Sequence, residues 1–162
     1  ALQPEKIRNL VLVGPGGLIG EDKFPKLVGR FSLNVIRSAL RAWQEPDERE
    51  AILRDGKETG KYILKNIPRA WKEAVAISEA EIHETLKELH EKGIGISIIS
   101  GVDDPVFPMD RIQEVVEKDQ IDGFYSVKGD HNEIWVHPEK YVALADQALD
   151  ALEKKHRRGQ NN

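Results

Sequence analysis

The sequence predicts an α/β fold built on a mostly parallel sheet. Three observations predict it. The run "LVLV" (10–13) is apolar without alternation, as in a strand covered on both faces, and "IGISIIS" (94–100) reads as another buried strand. Elsewhere apolar residues recur at helical spacing. The two kinds of segment alternate along the chain, which places helices on the faces of a parallel sheet.

The elements follow in order. A strand spans 7–13 and ends in "VGPGGLIGED". A helix spans 24–44, with Phe24, Val28, Phe31, Val35, Ala39 and Trp43 on one stripe. A second helix starts after Pro46, where Asp47 and Glu50 form a capping-box pattern, and runs toward Asn66. Gly56 and Gly60 weaken it or admit another helix. Pro68 restarts the chain into a short helix through Trp71 and Val75. Ser78 and Glu81 suggest another capping box, Ile82, Leu86 and Leu89 a stripe, and Gly93 a helix end. A strand over 94–100, a loop "GVDDPVFP", a helix from about 109 to 118 and a strand over 124–128 come next. "GDHNEIWVH" reads as a loop. Pro138 opens a last helix with Tyr141, Ala145, Ala148 and Leu152 facing inward. The stretch 24–77 is all helical and longer than one crossover needs, so it reads as an inserted cap. The expected divisions are 1–22 (core strand and exit loop), 23–77 (helical cap) and 78–162 (C-terminal core).

The bulk composition narrows the function. The chain has 162 residues, 32% charged and 40% hydrophobic, with a net charge of -4. That is a globular composition with no basic balance to draw nucleic acid or anionic lipid. The one basic run, "KKHRR" (154–158), reads as a solvated helix end. No cysteine is present, which excludes disulfides, thiolate metal sites and thiol nucleophiles. No apolar run approaches the ~20 residues of a membrane span. The expected setting is cytoplasmic, with a small-molecule substrate, no nucleic acid and no membrane. The sequence does not set the oligomeric state.

The glycine loop is a poor phosphate cradle. Gly14 and Gly16 begin a dinucleotide pattern, but Ile19 stands where the third glycine belongs, and no Gly-Lys-Ser/Thr occurs. Pro15 lacks an N–H, and Glu21 and Asp22 bring negative charge to where an anion would sit. The loop reads as a tight strand exit.

Chemistry points to two other loops. Ligands gather at the carboxyl ends of parallel strands. "GVDDPVFP" offers Asp103 and Asp104 there, and "KGDHN" offers Asp130 and His131. A carboxylate beside an imidazole fixes the tautomer and lets histidine serve as a general base. The other histidines carry less. His83 and His90 in "HETLKELH" flank an apolar stripe, and Lys87 occupies the second histidine position of the zinc motif. His137 precedes Pro138 as a turn residue, and His156 lies in the tail. Trp43, Trp71 and Trp135 are candidate substrate contacts, the last by its closeness in sequence to His131.

The order of these parts resembles the C-terminal part of the α/β-hydrolase fold. "ALQPEKIRNLVLVGPGGL", with Pro4, Glu5 and Lys6 ahead of the apolar run, resembles that family's passage into its sixth strand. The helical stretch sits where the family inserts its cap. "GVDDPVFP" resembles the loop of the catalytic acid, and "GDHNEIWVHPEKYVALADQALDAL" the histidine loop and last helix. The resemblance implies that Asp104, three residues after Gly101, is the acid, with Asp103 as the neighbouring alternative, and that His131 is the base. Asp130 stands where the family often has a second glycine. It further implies hydrolysis of an ester or other acyl bond without metal or organic cofactor.

The nucleophile is missing. No Gly-x-Ser-x-Gly occurs, and Ser32, Ser38, Ser78, Ser97, Ser100 and Ser126 sit in other contexts. The resemblance places it about ten residues before Ala1, on the elbow that motif describes. The chain then reads as a fragment, expected to expose sheet edge and cap surface and to be poorly soluble or domain-swapped. An aspartate at that elbow would shift the chemistry to carbon–halogen or epoxide opening. Two other readings compete. One is the nucleotide- or sugar-nucleotide-binding half of a transferase, the other a non-catalytic binding module of the same fold.

Overall fold

The structure, a computed structural model, describes residues 6–18, 23–115 and 121–159. Pro4, Glu5, Ile19, Gly20, Glu21, Asp22 and the expected helix end at 116–118 lie outside the described residues. Three parallel strands form one sheet in the order β1 (Asn9–Val13), β2 (Gly95–Gly101), β3 (Gly123–Val127). Helices α1 (Phe24–Gln44), α2 (Arg49–Lys65), α3 (Ile67–Glu79) and α4 (His83–Glu91) lie between β1 and β2. α5 (Met109–Val115) follows β2, and α6 (Glu133–Val136) and α7 (Pro138–Gly159) follow β3.

Register explains the unbroken apolar runs. Leu10 pairs with Ile96, and Leu12 with Ile98, which pairs in turn with Phe124. These residues point to one face and join Leu86, Val106, Phe107 and Ile112. Val11 and Ile99, with Tyr125 and Val127, point to the other face and meet Tyr141, Leu144 and Ala145 of α7. With a helix on each face, every residue of β2 is buried. A strand with apolar neighbours on both sides has no use for polar alternation. Among the described residues β1 pairs only with β2, so its other edge carries no strand.

α1 has the expected bounds but is rotated so that the flank of the expected stripe, not its centre, turns inward. Its inward face is Leu27, Asn34, Ser38 and Ala42. Much of the expected stripe faces out, with Val28, Val35 and Trp43 exposed, while Phe24 packs on Trp71 and Phe31 reaches the His131 ring. Periodicity identifies an apolar face, not the surface that face meets.

Three local expectations are corrected. α2 begins at Arg49 with Glu48 as its N-cap and no side-chain cap bond, so Asp47 caps nothing. Ser78 lies in the last turn of α3, and its hydroxyl donates to the Val75 carbonyl at 2.8 Å instead of capping a new helix. "GDHNEIWVH" is not all loop, because Glu133–Val136 makes one helical turn. Nothing lies within 4 Å of a Cβ built on Gly56 or Gly60, so they admit no close helix. Gly93 does end α4, at φ +79°, where side chains rarely fit.

Candidate functional site

Asp104 sits just beyond β2 in a carboxylate-capped turn. Its Oδ1 accepts the N–H groups of Val106 at 2.7 Å and Phe107 at 3.0 Å. Both bonds arise because the loop folds back over the aspartate, a habit of Asp in turns. The second oxygen, Oδ2, lies 2.9 Å from Nδ1 of His131. The Asp104 side chain is 2% exposed and that of His131 25%. Asp103 is exposed and lines a different cavity, shared with Arg37, Arg41 and Lys128. Of the two aspartates, Asp104 is the one paired with His131.

Glycines let the two loops close on each other. A Cβ on Gly101 would come within 2.8 Å of the Gly129 carbonyl and 3.2 Å of the Asp130 carbonyl. Gly129 has φ +147°, and a Cβ there would overlap the Glu133 side chain. The His131 loop can approach the Asp104 loop because Gly101 lacks a side chain, and it can fold against its own Glu133 because Gly129 does.

The imidazole is held on its flanks. Phe107, from the acid loop, stands edge-on to it with centroids 5.3 Å apart, and Phe31 of α1 does the same at 5.8 Å. Nε2 of His131 hydrogen-bonds to none of the described residues. The His131 side of this site borders a cavity of about 230 Å³, lined also by Gly14, Asp104, Ile134, Trp135 and Tyr141. Burial, with Glu133, Asp104 and Asp130 nearby, pushes the Tyr141 hydroxyl up to about 12, so it stays protonated near neutrality. Asp55 of α2 also faces this region. Burial raises its carboxyl pKa and Asp130 adds to the rise, while His131 opposes it.

The three tryptophans separate. Trp135 lines the cavity beside His131. Trp71 packs against Phe24 with centroids 4.6 Å apart, and Trp43 is 77% exposed; neither belongs to the lining of this cavity. The glycine loop is occupied with packing. The Gly14 N–H donates to the Ile99 carbonyl at 2.9 Å and so is unavailable to a phosphate. Gly16 lies against Phe107 and Ile77, and Gly17 against Ala80.

A charged network missed by sequence reasoning binds the His131 loop to α1 and α2. Glu133, 2% exposed, accepts from Arg41 of α1 at 2.7 Å and from Lys140 of α7 at 2.6 Å. His137 is more than a turn residue, since its Nε2 lies 2.7 Å from Glu48 and its Nδ1 3.1 Å from Glu139. Arg41 also pairs with Glu48, and Asn132 donates to the Ser38 hydroxyl at 3.2 Å. The Arg41–Glu133, Glu48–His137 and Ser38–Asn132 contacts join residues 92, 89 and 94 positions apart and leave no local motif. Phe31 gave no signal beyond its place in the α1 stripe.

At the far end of the sheet, His90 faces Asp122 at 3.4 Å and His156 meets Asn9 at 3.0 Å. His83 is buried in the first turn of α4. Among the described residues no group of three or more His, Asp or Glu is placed to hold a metal ion. No described helix is long and apolar enough to cross a membrane. Set against protein-family models, curated proteins and solved structures, the chain matches none of them.

Proposed function

We propose that Asp104 and His131 are the acid and base of an α/β-hydrolase, acting on an ester or other acyl bond with a nucleophile supplied by a segment preceding Ala1. The observation that carries this reading is the 2.9 Å contact between Asp104 Oδ2 and His131 Nδ1, with Asp104 already anchored through Oδ1. The carboxylate accepts from Nδ1–H, which leaves Nε2 bare. Nε2 takes the proton of the nucleophile as it attacks the acyl carbon and returns it to the departing alcohol. It then deprotonates the water that cleaves the acyl intermediate. α1, α2 and α3 act as the cap, and Trp135 and Tyr141 line the substrate side. An aspartate nucleophile would keep this geometry and change the bond broken. Support also comes from the free edge of β1 and the outward apolar face of α1, both of which suit further core strands and a substrate under the cap.

The test is hydrolysis of short-chain acyl esters by the protein carrying its preceding segment. His131→Ala and Asp104→Asn should each lower kcat by roughly 10³-fold or more, as loss of such a group does in related triads. Retention of full activity by either variant would sink the proposal.

A further inference from the structure

We infer that the cap itself positions the base: Phe31 of α1 is a positioning residue that clamps the His131 imidazole against Phe107 and keeps Nδ1 on Asp104. The inference rests on the reading of His131 as a general base. A single hydrogen bond does not fix a ring, because the imidazole can still swing about its side-chain torsions. Here two phenyl rings restrict it. Phe107 crosses it at 68° and Phe31 at 84°, both edge-on arrangements favoured by aromatic quadrupoles.

The two rings come from different parts of the fold. Phe107 belongs to the acid loop, where its N–H bonds to Asp104. Phe31 belongs to α1, so its place depends on how that helix is seated. The seating is set beside the histidine itself. Ser38 of α1 accepts from Asn132, and Arg41 of α1 donates to Glu133, the two residues that follow His131. The imidazole is therefore held between core and cap, and a displacement of α1 that carries Phe31 away loosens the base.

The test is nitrogen NMR of the His131 ring in the protein carrying its preceding segment, at a pH where the ring is neutral. The wild type should show the Nδ1–H tautomer. Asp104→Asn should switch it to Nε2–H, because the amide oxygen stays with the Val106 and Phe107 N–H groups and the NH₂ then faces Nδ1. Phe31→Leu keeps an apolar side chain but loses the ring. It should raise the Nε2–H population roughly three- to tenfold, the scale on which aromatic pairs act, whereas Phe31→Tyr should match the wild type. Should Phe31→Leu fail to fold, Phe31→Met replaces it. If Asp104→Asn switches the tautomer and the Phe31 variants leave it unchanged, the inference is overturned and the acid–base pair stands. If Asp104→Asn changes nothing, the pair and the inference fall together.

Discussion

Arg41 and Glu133 meet at 2.7 Å across a separation of 92 residues, joining the first helix after β1 to the turn that follows His131. Glu133 is buried and its other partner is Lys140. Loss of Arg41 leaves a buried carboxylate with one cation in place of two. Breaking one side of such a pair costs more than the pair contributes, because the remaining charge stays desolvated. Arg41→Ala should destabilise the chain by about 2–3 kcal/mol, measured by urea unfolding. A loss within the scatter of ordinary surface substitutions would mean that Glu133 is wetter than its burial indicates.

The His137–Glu48 contact should make the seating of α2 depend on pH. The hydrogen bond that His137 donates to Glu48 raises the His137 pKa, partial burial opposes it, and Glu139 adds to the rise. The same bond lowers the Glu48 pKa, against burial and with help from Arg41. The histidine contribution is complete below its unfolded value, near 6.5, and is lost as pH rises through the higher folded value. The glutamate contribution is present above its unfolded value, near 4.3, and is lost as pH falls through the lower folded value. The contact is therefore strongest between about pH 4.5 and 6.5. His137→Gln should cost under about 1 kcal/mol in that window, as half-exposed pairs do, and less at pH 8. A cost that does not vary with pH would show that His137 matters only as packing.

Gly101 should resist any side chain. A methyl there would press on the carbonyls of Gly129 and Asp130. Gly101→Ala should lower stability by about 1–3 kcal/mol, the usual cost of overpacking, and should separate Asp104 from His131. The melting temperature reads the first effect and the His131 tautomer the second. An unchanged tautomer would mean that the loops adjust without parting.

His83 is a candidate for stabilisation. Its ring is buried, and neither nitrogen has a hydrogen-bond partner among the described residues. A buried polar group without a partner costs about 1–3 kcal/mol. His83→Leu should raise stability by about 1 kcal/mol. A drop in melting temperature would reveal a partner, such as a bound water, that the imidazole needs.

The sequence was most legible where local pattern and tertiary role coincide. "IGISIIS" reads as a buried strand because β2 has helices on both faces. Gly93 and Pro138 mark helix ends through backbone rules that need no partner. Legibility failed where a partner decides. The stripe from Phe24 to Trp43 was clear, yet the core takes Leu27, Asn34, Ser38 and Ala42 instead, and Ser38 is inward in part to receive Asn132. Ser78 had cap spacing, but its hydroxyl found the Val75 carbonyl first. α6 is four residues long, too short for any period to show. In the candidate site, Asp104 and His131 stood out by order and loop type. The choice between Asp103 and Asp104 needed coordinates, because both follow β2 and only one turns toward the imidazole. Phe31 and Arg41 of α1, Glu48 at the start of α2 and Glu133 of α6 come together from three segments, and no spacing rule connects these segments.

The measurement closest to the central claim is the coding sequence immediately upstream of Ala1. The account predicts a Gly-x-Ser-x-Gly within about ten residues of Ala1, after a β-branched run, where a sharp strand-to-helix turn would present its serine to Nε2 of His131. An aspartate in place of that serine keeps the fold and changes the bond broken. A start codon directly before Ala1 would contradict the account, since His131 and Asp104 would then have no nucleophile to serve.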